Sequence, residues 1–141
     1  AEVNGIPVRI EIGARDLKEK KITFARRDTR EKMVEDETID VVSYVKQLLE
    51  DIQNNLYHRA YERMQSLTYT CHDLEEVCNI MNTRPGFVKA MWCGDTECEM
   101  KMKEINGTKS RCILEKEKPI DDTCIVCGKK AKHLVVWGIQ Y

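Results

Sequence analysis

Two short cysteine pairs, Cys93-Gly-Asp-Thr-Glu-Cys98 and Cys124-Ile-Val-Cys127-Gly128, constrain this chain more than any other feature. Closed four-thiolate zinc sites are normally built from two pairs, each short enough to chelate from one turn, and C-x4-C followed by C-x2-C meets that rule. A chain that brings both pairs to one ion has the topology of its second half largely decided. Gly94 and Gly128 follow Cys93 and Cys127 directly, which permits tight turns that aim N–H groups at the sulfurs. Cys98 is expected in the first turn of a helix, where the dipole favours its thiolate. Two alternatives remain: unconnected buried pairs, and a redox C-x-x-C. The redox motif normally opens a helix in a βαβ context, whereas Gly128-Lys-Lys reads as a knuckle. With Cys93, Cys98, Cys124 and Cys127 all ligating, no position is left for water, so a zinc ion there is structural rather than hydrolytic.

The remaining cysteines bear on compartment. Seven is an odd number, and no apolar leader precedes them, so a reducing cytoplasmic setting fits better than a disulfide framework. Cys78 and Cys112 read as small hydrophobes on a helix face and a strand. His72 and His133 are possible substitute ligands, but the thiolate set is already complete; His58 reads as a solvated or packed helix residue. No apolar run approaches the ~20 residues a membrane helix needs. Ala1 to Gly5 run within a few positions into a strand pattern with no initiator Met, which reads as a piece of a longer protein.

Hydrophobic periodicity predicts a mixed α/β chain. Residues 6–13 alternate at period two, with Ile6, Val8, Ile10 and Ile12 on one face, predicting a half-buried strand with Pro7 at its start or on an edge. A charged turn then leads to a second strand over Lys21–Arg27 in the same sheet. From about Glu37 the period lengthens: Val41, Val45, Leu48, Ile52 and Leu56 form one stripe, widened by Val42 and Leu49. This predicts a helix to about Met64 with Glu37 and Asp40 in its first turn and a break near Asn54-Asn55. Thr70-Cys-His-Asp73 has capping-box form before a short helix with Leu74, Val77, Cys78 and Met81 inward, terminated by Arg84-Pro85-Gly86. Phe87–Trp92 reads as a strand, Asp95 as the cap of a helix ending near Asn106-Gly107, and Lys109–Glu115 and His133–Ile139 as further strands. The expected division is residues 1–66 and 67–141.

Charge is unevenly spread. Residues 1–33 hold nine Lys/Arg against six Asp/Glu, and the rest fourteen against eighteen. Within the basic part stand Arg9, Glu11, Arg15, Asp16 and Lys18, then Arg26, Arg27, Asp28, Arg30 and Lys32. Arginine matches phosphates and guanine edges bidentately and carboxylates accept from base donors, so a mixed set on a sheet edge suits base-specific RNA reading. The same run is also the ordinary composition of a solvated face. No P-loop, dinucleotide glycine fingerprint, nucleophile elbow or acid/base pair is present, so the sequence offers no means of catalysing a reaction alone.

Gly5-Ile-Pro-Val-Arg-Ile-Glu-Ile-Gly-Ala-Arg-Asp16 and Arg26-Arg-Asp-Thr-Arg-Glu-Lys32 resemble the G-x-P-x-R-x-E-x-G-P-R-D and R-R-D-T-G-E-K segments of prolyl-tRNA synthetases of the archaeal and eukaryotic type. The cysteine pairs, the Lys-Ser-Arg-Cys112 strand and the aromatic chain end are similar in order and spacing to that family's zinc-containing C-terminal domain. Ala14 stands where the family usually has Pro, and Arg30 where it usually has Gly.

The resemblance implies the end of an anticodon-binding domain, long helix included, joined to a zinc-containing C-terminal domain of a class II enzyme. That enzyme uses ATP to attach proline to tRNA(Pro). Its catalytic domain, with the ATP, Mg2+ and proline sites and the dimer contact, is implied upstream, so this chain alone is expected to be inactive. Glu11, Arg15 and Asp16, supported by Arg26 and Arg27, are then candidates for the surface near the anticodon, and Tyr141 for a contact with the catalytic domain. A free-standing zinc module for RNA or protein contacts is the competing reading.

Overall fold

The computed structural model describes residues 3–140. The chain divides into two compact units, Ala1–Glu62 and Arg63–Tyr141.

In the first unit, β1 (Val8–Glu11) is followed by α1 (Ala14–Glu19), β2 (Lys21–Arg26), β3 (Lys32–Asp36) and the long helix α2 (Val41–Ser66), whose last residues belong to the second unit. The strands form an antiparallel sheet in the order β1-β2-β3. Ile10, Phe24 and Met33 are register partners, so they share one face. Phe24 on that face is fully buried against the ring of Tyr44 at 4.8 Å, and Leu48 and Ile52 of α2 are buried with it. The opposite face, by strand alternation, carries Arg9, Glu11, Ala25, Lys32 and Val34.

Several details depart from the sequence-based expectation. The first strand is shorter than residues 6–13, and Ile6, Ile10 and Ile12 stay exposed. The charged turn is the helix α1, begun where the Asp16 carboxylate accepts the Gly13 N–H at 2.7 Å and ended at Lys20 in the left-handed region. Its one large apolar residue, Leu17, is exposed, so no periodicity marks it. β3 escaped because Glu35 occupies an inward position, where it accepts the Tyr44 hydroxyl at 2.9 Å. α2 begins later, at Val41: Asp40 caps it by accepting the Val42 N–H at 3.2 Å and the Ser43 hydroxyl at 2.6 Å, while Glu37 lies ahead of it. No break occurs at Asn54-Asn55.

In the second unit, β4 (Thr68–Thr70), α3 (Leu74–Thr83), β5 (Phe87–Trp92), α4 (Thr96–Glu104), β6 (Thr108–Ile113) and β7 (His133–Ile139) follow in order. The sheet runs β4-β5-β7-β6, with only the β4/β5 pair parallel. That pair requires a crossover, and α3 supplies it. β5 and β7 match the expected ranges. The cap of α3 is Asp73, whose carboxylate accepts the Glu76 N–H at 2.8 Å, rather than Thr70, which closes the short strand β4. Asp95 caps α4 as expected.

The core packs Val77, Ile80 and Met81 of α3 and Met102 of α4 against Val88, Ala90, Val135 and Trp137 of the sheet. No described helix is long and apolar enough to cross a membrane.

Candidate metal centre and nucleic-acid interface

The four paired cysteines meet in the second unit. Cys93 follows the last residue of β5, Cys98 is the third residue of α4, and Cys124 and Cys127 lie in the segment between β6 and β7. Their sulfurs all lie within 4.8 Å of one another, with Cys93 to Cys98 at 3.7 Å and Cys93 to Cys127 at 3.8 Å. The first pair is held by the capped start of α4 and by the Trp92 indole, which donates to the Asp95 carbonyl at 3.1 Å. The second is a closed knuckle: the Gly128 N–H donates to the Cys124 carbonyl at 2.9 Å and the Cys124 N–H to the Lys129 carbonyl at 2.7 Å. Two further bonds fasten it to β5, from the Ile125 N–H to the Met91 carbonyl and from the Lys132 N–H to the Trp92 carbonyl. Gly94 and Gly128 have φ of +89° and +69°, the left-handed conformation a side chain would strain.

Protonation explains what such a cluster demands. Burial pushes the Cys98 thiol far up, and its three cysteine neighbours add to the shift. Burial also raises Cys93. At Cys124 burial pushes upward too, but the N–H groups of Cys127, Val126 and Cys93 outweigh it and lower the thiol to about 7. Four thiolates this close cannot all be charged without a cation among them, and a metal that binds here must displace protons. Trp92 and Val126 pack against both the cluster and the main core, so metal binding there is coupled to the packing of the sheet.

Among the described residues, no other thiol or imidazole joins this group. Cys71 is a buried core thiol pushed up to about 11 by burial and by the charges of Glu76 and Asp73. Cys78 is half-buried, whereas Cys112 is exposed on β6, not packed as a small hydrophobe. His72 pairs with Asp121 at 2.7 Å, His58 faces the Asn54 carbonyl at 2.8 Å, and His133 lies beside Trp92.

The five RNA-binding candidates of the first unit fall into different settings. Glu11 lies on the sheet face opposite Phe24, bridging Arg9 and Lys32 and accepting from Lys32 at 2.7 Å. Those two cations hold its carboxyl below the usual range, Lys32 contributing most. Arg27 continues the alternation of that face, is exposed, and its N–H donates to the Pro7 carbonyl at 3.0 Å. Arg15 is exposed and paired with Glu19 at 2.8 Å, and Asp16 is engaged as the cap of its own helix. Arg26 points the other way, toward α2.

There Arg26 meets Asp28, whose side chain is only 1% exposed. The Asp28 carboxylate accepts from Arg26 Nε and Nη2 at 3.1 and 2.8 Å and from Asn55 Nδ2 at 2.7 Å, while its carbonyl accepts from Arg59 at 3.4 Å. The Arg26 bonds hold its carboxyl far below the ordinary range despite burial. This node ties the β2–β3 turn to α2. Sequence reading placed Asp28 in a charge run and gave no sign of its burial.

Comparison with known proteins matches both parts. Residues 1–69 match the family model of an anticodon binding domain, and residues 74–141 that of the C-terminal domain of prolyl-tRNA synthetase. A proline–tRNA ligase from Clostridium novyi (strain NT) is 44% identical over 140 residues, covering 99% of this chain and 29% of that protein. Proline–tRNA ligases from Clostridium botulinum (strain Loch Maree / Type A3) and Lachnoclostridium phytofermentans are 42% and 44% identical over 141 residues, again covering 99% of this chain and 29% of theirs. The chain thus spans under a third of the length of these relatives. The first part of the chain is thus similar to an anticodon binding domain, and the second part to the C-terminal region of prolyl-tRNA synthetase.

Proposed function

We propose that this chain is the tRNA-recognition and zinc-stabilised C-terminal portion of a class II prolyl-tRNA synthetase that uses ATP to attach proline to tRNA(Pro). The observation that carries the reading is the succession, in one chain, of an anticodon-binding match and a prolyl-tRNA synthetase C-terminal match. The boundary we assign is residues 1–66 and 67–141, with α2 as the joining helix. In this reading the enzyme has the architecture of the archaeal and eukaryotic type; the relatives named above are bacterial, so the type denotes a domain plan and not a source.

The division of labour follows from chemistry. Zinc at Cys93, Cys98, Cys124 and Cys127 would saturate a tetrahedral shell and supply only structural support. ATP, Mg2+ and proline would be bound by a catalytic domain outside this chain, which would also make the homodimer contact; the setting is cytoplasmic. Tyr141, assigned a contact with that domain, lies outside the described residues. Glu11 and Arg27 share the sheet face opposite Phe24 with Arg9 and Lys32, an alternation of acceptors and donors suited to guanine and phosphate. Arg15 and Asp16 would extend it from α1, while Arg26 would support it from beneath through Asp28.

Titrating a tRNA(Pro) transcript into the zinc-loaded chain tests this. Weak binding whose affinity falls steeply with salt is expected. Affinity indifferent to salt, or unchanged anticodon preference in the full enzyme carrying Arg15→Ala, would remove the assigned surface.

A further inference from the structure

The turn between β2 and β3 contains a residue whose backbone and side chain are at odds. Arg30 has φ +63°, a conformation that L side chains adopt at a steric cost and glycine adopts freely. Strain of this kind persists only where surrounding structure enforces it or a function repays it. The enforcement is visible: the buried Asp28 carboxylate grips Arg26 and Asn55, the Arg26 N–H donates to the Glu31 carbonyl at 2.9 Å, and the Thr29 hydroxyl donates to the Glu31 carboxylate at 2.9 Å. What the enforcement does not explain is an arginine at the strained position.

No intramolecular contact repays it. Arg30 is exposed and makes no hydrogen bond or ion pair among the described residues. It is alone in this among the arginines of residues 3–62: Arg9 and Arg15 pair with glutamates, Arg26 with Asp28, Arg59 with the Asp28 carbonyl, and Arg27 is also engaged. The one carboxylate of the turn's outer part, Glu31, is held by Thr29. The turn therefore presents an uncompensated guanidinium on a rigid support, three residues from the exposed Arg27.

We propose that Arg30 is an added RNA-binding residue of this chain, its guanidinium contacting phosphates of the bound tRNA. This rests on the RNA-reading function proposed above and extends it to a position where the family resemblance has glycine. The contact is to the backbone, so it adds affinity and orientation without base preference.

The test compares the zinc-loaded 141-residue chain with its Arg30→Gly, Arg30→Asn and Arg30→Lys variants, titrated with a tRNA(Pro) transcript at several salt concentrations. Arg30→Gly is expected to raise the thermal midpoint and yet weaken binding about fivefold at 0.1 M salt, with the log–log salt slope shallower by about 0.7, the loss of one phosphate contact. Arg30→Asn, which tolerates this conformation without charge, should bind as weakly as the glycine variant, and Arg30→Lys should keep both affinity and slope. If Arg30→Gly binds with unchanged affinity and slope while the parent chain binds tRNA, the contact is refuted and the RNA-reading function stands. If the parent chain binds no tRNA, both fall together.

Discussion

The two units are held by different physics. Of the seventeen hydrophobic residues buried among the described ones, only Phe24, Leu48 and Ile52 lie in the first unit, and fourteen lie in the second. Conversely, Ile6, Ile10, Ile12, Leu17, Val34, Val42, Leu49 and Leu56 of the first unit remain exposed. The first unit compensates with polar fastening, centred on a carboxylate at 1% exposure that gathers an arginine and an asparagine. The second has a continuous apolar core whose Trp92 and Val126 also touch the thiolate cluster. A polar node and a core linked to a cysteine cluster must fail under different insults, and each can be broken while the other serves as its control.

The largest effect is expected at the proposed zinc site. Structural zinc contributes roughly 10–16 kcal/mol in small metal-dependent domains, and even part of that rivals the stability of an ordinary domain. Chelation, or Cys124→Ser, should abolish cooperative unfolding of residues 63–141 and leave amide signals from residues 3–62 in place. Cys112→Ser, at an exposed thiol, should change stability by less than about 0.5 kcal/mol. A metal-free chain with the same melting profile as the loaded one would refute the structural role.

Breaking the node of the first unit comes next. Asp28→Asn leaves a mostly buried Arg26 without its counter-charge, which costs about 3–5 kcal/mol where a buried pair is broken from one side. The pH dependence has a definite sign. The folded-state pKa of Asp28 lies below its unfolded value of about 3.9, so its contribution is fully present above that value and is lost as pH falls through it toward the folded pKa. Stability of the first unit should be level from neutral pH to about 5 and decline in more acid solution, and Asp28→Asn should flatten the part due to this group. Denaturant titrations of both chains between pH 7 and 3 check this; an equally steep acid limb in the variant would contradict it.

A smaller effect probes close packing in the second unit. A Cβ on Gly86 would lie 2.3 Å from the Leu67 carbonyl oxygen, which accepts the Phe87 N–H at 2.8 Å. Backbone cannot give way as a side chain can, so Gly86→Ala should cost about 1–3 kcal/mol. Gly138→Ala meets the exposed Phe87 ring at 3.3 Å and should cost less. Equal midpoints for the two variants in thermal melts would show that the backbone at Leu67 yields easily.

How much of this was legible in the sequence differs between the units for the same reason. Where burial is apolar, periodicity reports it: Phe87–Trp92 and His133–Ile139 were readable as strands, and the cysteine spacing announced a cluster that the fold does assemble. Where inward positions are polar, the pattern fails. Glu35 facing Tyr44 erased the alternation of β3, Asp28 looked like one more surface charge, and α1 has no buried residue to mark it. At α3 the residue types announce a cap but not its place, since Asp73 and Thr70 both suit the role and only the backbone decides, whereas the cap of α4, Asp95, is legible by position as well. Strand alternation separates Arg26 from Arg27, but which of the two turns toward α2 is decided by the fold and not by residue identities alone.

The smallest effect concerns the start of α1. Ala14 is its first residue, where the backbone N–H has no intrahelical acceptor, and proline is favoured because its fixed φ already suits the helix. The preceding Gly13 is extended, with φ −110° and ψ 174°, as a residue before proline must be. Ala14→Pro should therefore stabilise the first unit by about 0.4–1 kcal/mol, acting on the unfolded chain and on no folded contact. In a unit of this size that corresponds to a few degrees in the melting midpoint, with the midpoint of residues 63–141 unmoved. In urea, followed by residue-resolved signals, the midpoint of the first unit should thus rise relative to that of the second, the reverse of what Asp28→Asn produces. A lowered first midpoint would mean that Ala14 uses its N–H or a different φ, and the helix would then have to begin elsewhere.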